Sequence, residues 1–84
     1  FDFAGAAGSE ITLNSNANDA GLTGSTISRG SGVSSGGNAD RFNSTGWTTG
    51  TVVDVNDYVQ FTITPQSGKQ FSISSIQFQH QRSG

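Results

Sequence analysis

Asp57-Tyr58-Val59-Gln60-Phe61-Thr62-Ile63-Thr64 is the stretch on which the fold class turns. Val59, Phe61 and Ile63 fall on odd positions and polar residues fill most of the even ones, which is the period of a strand with one buried face. Pro65 ends the pattern because it brings no amide hydrogen to a ladder. Pro65-Gln66-Ser67-Gly68 carries turn-forming residues, so a reversal into a second strand is expected. Phe71 and Ile73 resume the alternation, and Ile76 and Phe78 continue it on even numbers. That change of parity across Ser74-Ser75 calls for a bulge or a short bend. Val59, Phe61, Ile63, Phe71, Ile73, Ile76 and Phe78 are accordingly the expected core.

Working outward, 51–55 reads as another strand, and Phe1 with Phe3 and Ile11 with Leu13 read as two short alternating strands. The weakest strand candidate is 22–29. Residues 30–38, Gly-Ser-Gly-Val-Ser-Ser-Gly-Gly-Asn, have no periodicity and read as a flexible Gly/Ser loop. Short strands separated by turn clusters, with no helical pattern between them, predict an all-β fold. The expected architecture is an antiparallel β-sandwich, jelly-roll-like, with residues 1–84 forming one domain or part of one.

Composition limits what such a domain can do. Of 84 residues, 20 are large and apolar (Phe, Ile, Val, Leu, Trp or Tyr), whereas Ser, Gly, Thr and Asn supply 40. Twelve of the 20 lie in 47–80, which places the expected core in the C-terminal half. So thin a supply predicts a chain that needs additional strands or neighbours to complete its fold. Four Lys and Arg against six Asp and Glu, scattered along the sequence, form no basic footprint for nucleic acid. No apolar run approaches the roughly 18 residues of a helical membrane span, so membrane insertion is not expected. The absence of Cys removes disulfides, thiolate metal sites and thiol catalysis.

Three groups of residues are candidates for chemistry. Gly32-Val33-Ser34-Ser35-Gly36 matches the string of a nucleophile elbow, but neither the preceding strand nor the following helix that the motif requires is expected, and a loop is the better reading. Asp54, Asn56 and Asp57 offer the oxygen ligands that Ca²⁺ prefers, while residues of these types at a strand junction usually form turns by bonding their own backbone. Trp47 and Tyr58 have the flat apolar faces and polar tips of a sugar-stacking platform, against the alternative of Trp47 as a packing anchor. Asn43-Ser44-Thr45 also fits the N-glycosylation pattern. With one His, His80, and no credible nucleophile, the chain is not expected to be an enzyme, and it implies no cofactor beyond candidate Ca²⁺.

The order and spacing of Arg29-Gly30-Ser31-Gly32-Val33, Phe42-Asn43-Ser44-Thr45-Gly46-Trp47, the run from Val53 to Pro65, and Ile76-Gln77-Phe78 through Arg82-Ser83-Gly84 carry a resemblance. The chain resembles the N-terminal β-sandwich region of secreted bacterial proteins, many of which end in a PEP-CTERM sorting tail. That resemblance implies an extracellular or cell-surface location and a structural, adhesive or biofilm-matrix role; it brings no catalytic motif and no ligand. Proteins of that type continue past the equivalent of 82–84 with further strands, so the expectation is a fragment or a sheet completed by another molecule.

The expected function is an extracellular bacterial structural or adhesive module that associates with copies of itself or with missing strands of the same protein. Self-association is expected at the terminal segments, through Phe1, Phe3, Ile76, Phe78 and His80, because exposed strand edges are templates for pairing. The alternative is a non-catalytic carbohydrate-binding module that uses Trp47 and Tyr58 on an extracellular polysaccharide.

Overall fold

A strand of eight residues, β2 (Leu22–Arg29), forms the centre of a three-stranded antiparallel sheet between β1 (Thr12–Asn14) and β5 (Val59–Pro65). Two further strands, β3 (Ser34–Ser35) and β4 (Ser44–Thr45), pair antiparallel as a separate small sheet. The computed structural model describes residues 1–82, and within them every regular element is a strand. The all-β expectation is met by these two open sheets. The segment with the weakest alternation is the longest strand, because ladders on both sides of β2 outweigh its modest propensity.

Register explains how so polar a sequence builds a sheet. Leu13 lies opposite Ile27 and Ile27 opposite Phe61, while Arg29 faces Val59 and Ser25 faces Ile63. Directly opposed residues share a face, so one side of the sheet is apolar apart from Arg29 and Ser25. On the other side Thr12, Ser28 and Gln60 form one cross-strand row and Asn14, Thr26 and Thr62 the next. A register shift between Leu22 and Ser25, with Gly24 at φ 110°, marks a bulge in the central strand.

An aromatic row flanks the apolar face. Phe1 lies against Phe61 with ring centroids 6.3 Å apart, Phe3 lies 6.4 Å from Phe1, and Phe42 lies 6.2 Å from Phe3. The row ends on Arg29, whose guanidinium carbon sits 3.6 Å from the centroid of the Phe42 ring. From the end of β2 this guanidinium ties three segments together. It donates to the Glu10 carbonyl at 2.5 Å, the Gly8 carbonyl at 3.2 Å, the Asn43 carbonyl at 2.5 and 3.1 Å, and the Ser44 hydroxyl at 2.9 Å. Partial burial draws the Arg29 pKa down, and the nearby Glu10 carboxylate opposes that shift. The Glu10 side chain in turn accepts from the Ala7 N–H at 2.7 Å and the Gly8 N–H at 2.9 Å.

The N-terminal segment is thereby held without being a strand. Ala4 N–H donates to the Asp2 carboxylate and Ala6 N–H to the Phe3 carbonyl, so Phe1 and Phe3 enter a turn and the expected strand there does not form. Asn38 and Asp40 N–H groups bond the Ala7 and Ala6 carbonyls. Gly8, at φ 89°, passes so close to the Asn38 backbone that a Cβ would collide with it.

Four further expectations are corrected. The 51–55 strand is absent: Asp54 accepts from the Asn56 N–H at 2.9 Å and from the Asp57 N–H through its own carbonyl at 3.1 Å, which closes a turn and leaves Val53 85% exposed. Ile11 stands outside its strand and is exposed, and only Thr12–Asn14 pairs. The turn after Pro65 is present, closed by Lys69 N–H to the Gln66 carbonyl, yet 71–78 forms no strand. Phe71, Ile73, Ile76 and Phe78 are therefore exposed, as are Val59 and Phe61, and among the described residues Val33, at 8% exposure, is the one large apolar side chain that is buried. Val33 and β3 lie inside 30–38, the stretch read as a flexible Gly/Ser loop.

The outcome is an extended particle of 43 × 31 × 21 Å with a radius of gyration of 14.5 Å. About 12 Å is usual for a compact chain of this length. Its surface of 6514 Å² exceeds the roughly 4,700 Å² that a folded 8.7 kDa monomer exposes.

Replacing the fork of Arg29 by a point charge tests its structural role. Arg29→Lys is expected to lower stability in urea by about 2–3 kcal/mol, the scale of lost hydrogen bonds to a charged group. Arg41→Lys, at an exposed site, should stay within about 0.5 kcal/mol. Glu10 adds a pH dependence. Its carboxyl is held below the usual glutamate range first by the Ala7 N–H and then by its own N–H, with desolvation opposing them and the Gly8 N–H and Arg29 adding smaller contributions in the same lowering direction. The folded pKa lies below the unfolded one, so the stabilisation is complete above about pH 4.3 and is lost as pH falls through the folded value. The melting-temperature gap between the native chain and Glu10→Gln should therefore close on acidification.

Candidate functional site

The long loop between β4 and β5 folds back beside the start of β3 and encloses a shallow depression of about 240 Å³. Gly30 and Gly32 N–H groups donate to the Tyr58 and Asn56 carbonyls at 2.8 and 2.9 Å, which extends the β2–β5 pairing past the end of β2. Gly30 is buried there, and any side chain at that position would run into the Asn56 carbonyl and the Tyr58 ring.

Trp47, Asp54 and Asp57 all line the depression, together with Thr48, Val52 and Val53. Trp47, suggested for sugar stacking, and Asp54 and Asp57, suggested for metal binding, are thus brought to one place, while Asn56 is not part of the lining. Trp47 is tied at one edge by its indole N–H, which donates to the Ser44 carbonyl at 3.2 Å, and the side chain stays 44% exposed. Tyr58 does not join it: its ring covers Gly30, and it is not part of the depression's lining. Tyr58 remains 41% exposed at its own position, and within the depression the aromatic ring is that of Trp47.

The carboxylates at this site are already engaged by the loop. Asp57 Oδ2 accepts from the Thr48 N–H at 2.6 Å, Asp54 Oδ1 from the Asn56 N–H at 2.9 Å, and Asp54 Oδ2 from the Thr48 hydroxyl at 3.4 Å. Among the described residues no cluster of three or more His, Cys, Asp or Glu side chains converges as a metal site. These contacts favour the turn-forming reading of Asp54, Asn56 and Asp57 over Ca²⁺ ligation.

The remaining candidates are scattered. Ser34, in the elbow-like string, lies on β3 with its carbonyl accepting from the Thr45 hydroxyl at 3.5 Å, in a hairpin and not a strand–turn–helix unit. Of the residues expected to mediate self-association, Phe1 and Phe3 pack within the chain on the aromatic row. Ile76 and Phe78 stand exposed, and the His80 ring lies 5.7 Å from that of Phe78. Ser83 and Gly84, with which the resemblance ends, lie outside the described residues.

A second groove, of about 490 Å³, lies along the polar face of the sheet and is lined by residues that include Asn14, Asn18, Thr26, Thr62 and Thr64. It was not anticipated, because its side chains come from three strands whose pairing the sequence does not reveal. The even positions Thr62 and Thr64 are the local signal for it.

Family models, curated proteins and solved structures were all searched, and none matches the chain.

Asp57→Ala is expected to lower stability by about 0.5–1.5 kcal/mol through loss of the hydrogen bond from the exposed Thr48 amide, which water then satisfies. Titration of the native chain with Ca²⁺ should release no heat. A rise in melting temperature with millimolar Ca²⁺ that a chelator reverses would defeat this reading of the loop.

Proposed function

We propose that the chain is an extracellular bacterial structural or adhesive module, of matrix type, whose sheets are extended into a β-sandwich by copies of itself or by further strands of the same protein. The observation that carries this reading is the surface of 6514 Å² on an 8.7 kDa chain, rich in exposed Phe, Ile and Val. Apolar area in such excess favours association, since its removal from water contributes about 25 cal/mol per Å². The outer edges of β1 and β5 have no strand beside them among the described residues, and unpaired edges accept added strands. Hydrogen bonding through backbone and hydroxyls suits a scaffold, and the sequence resemblance is the support for an extracellular location.

Sedimentation velocity and light scattering over a wide concentration range test the proposal. Concentration-dependent assembly of the native chain is expected; a monomer at every concentration defeats it.

A second reading, a non-catalytic carbohydrate-binding module, is favoured by one observation: the half-exposed Trp47 beside Asp54 and Asp57 in a single depression. Indole faces stack on sugar rings, and carboxylates accept from their hydroxyls. Retention on an insoluble polysaccharide that is lost in Trp47→Ala, with the circular dichroism unchanged, would support this reading; absence of retention together with assembly supports the first.

A further inference from the structure

The outer edge of β5 and the segment that follows it are complementary and unjoined. β5 presents Phe61 and Ile63 to the apolar face of the sheet and Gln60, Thr62 and Thr64 to the polar face. Residues 70–74 repeat this division, with Phe71 and Ile73 on one parity and Gln70, Ser72 and Ser74 on the other. A strand of that pattern laid antiparallel along β5 matches both faces at once when Ile63 lies opposite Phe71, Thr62 opposite Ser72 and Phe61 opposite Ile73. Shifting it by a single residue would put the apolar side chains among the hydroxyls.

In the folded chain this pairing is not made. The turn closed by Lys69 N–H on the Gln66 carbonyl is in place, yet 71–82 contributes no strand and no backbone–backbone hydrogen bond. Phe71, Ile73, Ile76 and Phe78 consequently stand in solvent. An alternating segment without a partner and an edge without a neighbour, both in one molecule, are mutually satisfied by a second copy. The surface in excess of a compact monomer, about 1,800 Å², covers about twice the roughly 800 Å² that each partner contributes to a standard interface, enough for a copy that both donates this strand and accepts one.

We infer that residues 70–74 of one copy add as an antiparallel strand to the free edge of β5 in another copy, with Thr62 opposite Ser72, and that Ser74-Ser75 forms the bulge that returns Ile76 and Phe78 to the apolar face. The inference rests on the self-associating reading above and specifies the contact through which association occurs.

The absence of Cys makes single thiols clean reporters. Differently tagged chains carrying Thr62→Cys and Ser72→Cys are mixed under mild oxidation, with Thr62→Cys plus Ser31→Cys as the control pair. Opposed Cβ atoms about 4.5–5.5 Å apart are near disulfide reach. The expected result is a mixed-tag disulfide dimer at least several-fold above the control. Ile73→Pro, which removes a ladder donor and spoils the strand, should abolish assembly in light scattering while leaving the far-ultraviolet dichroism of the monomer unchanged. Three results overturn the inference. A native chain that assembles without the 62–72 link, or an Ile73→Pro chain that assembles as the native one does, removes this contact and leaves the self-associating reading standing. A Thr62→Cys/Ser72→Cys double variant that closes its own disulfide, with no link between copies, shows the segment folded onto its own β5. A native chain that never assembles removes both the contact and the reading on which it rests.

Discussion

The guanidinium of Arg29 is the interaction on which the rest of the structure depends. A chain with so few large apolar residues cannot hold its N-terminal segment, its central strand and the 42–44 segment together by burial alone. Arg29 joins all three through fixed donors aimed at the carbonyls of Gly8, Glu10 and Asn43 and the hydroxyl of Ser44, with the Phe42 ring beneath it. A planar fork suits this task because its donors diverge in known directions, whereas an ammonium group offers one compact charge. Glu10 completes the arrangement from the other side by binding the N–H groups of Ala7 and Gly8, which fixes the backbone whose carbonyls Arg29 reads.

Around that hub the molecule separates two kinds of surface. Cross-strand register sorts the sheet into an apolar face, extended by the Phe61–Phe1–Phe3–Phe42 row, and a face of hydroxyls and amides. The depression at Trp47 lies elsewhere, on a loop held by Asp54 and Asp57 and anchored where Gly30 and Gly32 meet the start of β5. Asp54 and Asp57 fix this loop through Thr48 and Asn56, and the Trp47 ring stays 44% exposed beside them.

Legibility varied from element to element for physical reasons. The 59–65 strand was readable because its alternation is strict and a proline closes it. Strand 51–55 was misread because Val52, Val53 and Val55 have high β propensity, whereas Asp54 bonds its own backbone and turns the chain. The 71–78 segment has a strand's pattern and no strand, since pattern specifies which side would be buried and not whether a neighbour is present. Of the candidate site, the residue types at Trp47, Asp54 and Asp57 were identifiable; their convergence, and the departure of Tyr58 to cover Gly30, were not.

The sequence by itself determined the all-β class, the strand at 59–65 with its two-sided character, the closing turn after it, and the shortage of apolar material that leaves so much surface open. Tertiary contacts alone made Leu22–Arg29 the central strand, set Phe1 and Phe3 in an aromatic row with Phe61 and Phe42, and made Arg29 the tie between the segments. The division follows from range: alternation and turn chemistry act over a few neighbouring residues, whereas strand order and the reach of a guanidinium across 14 to 21 positions depend on contacts that exist only once the chain has folded.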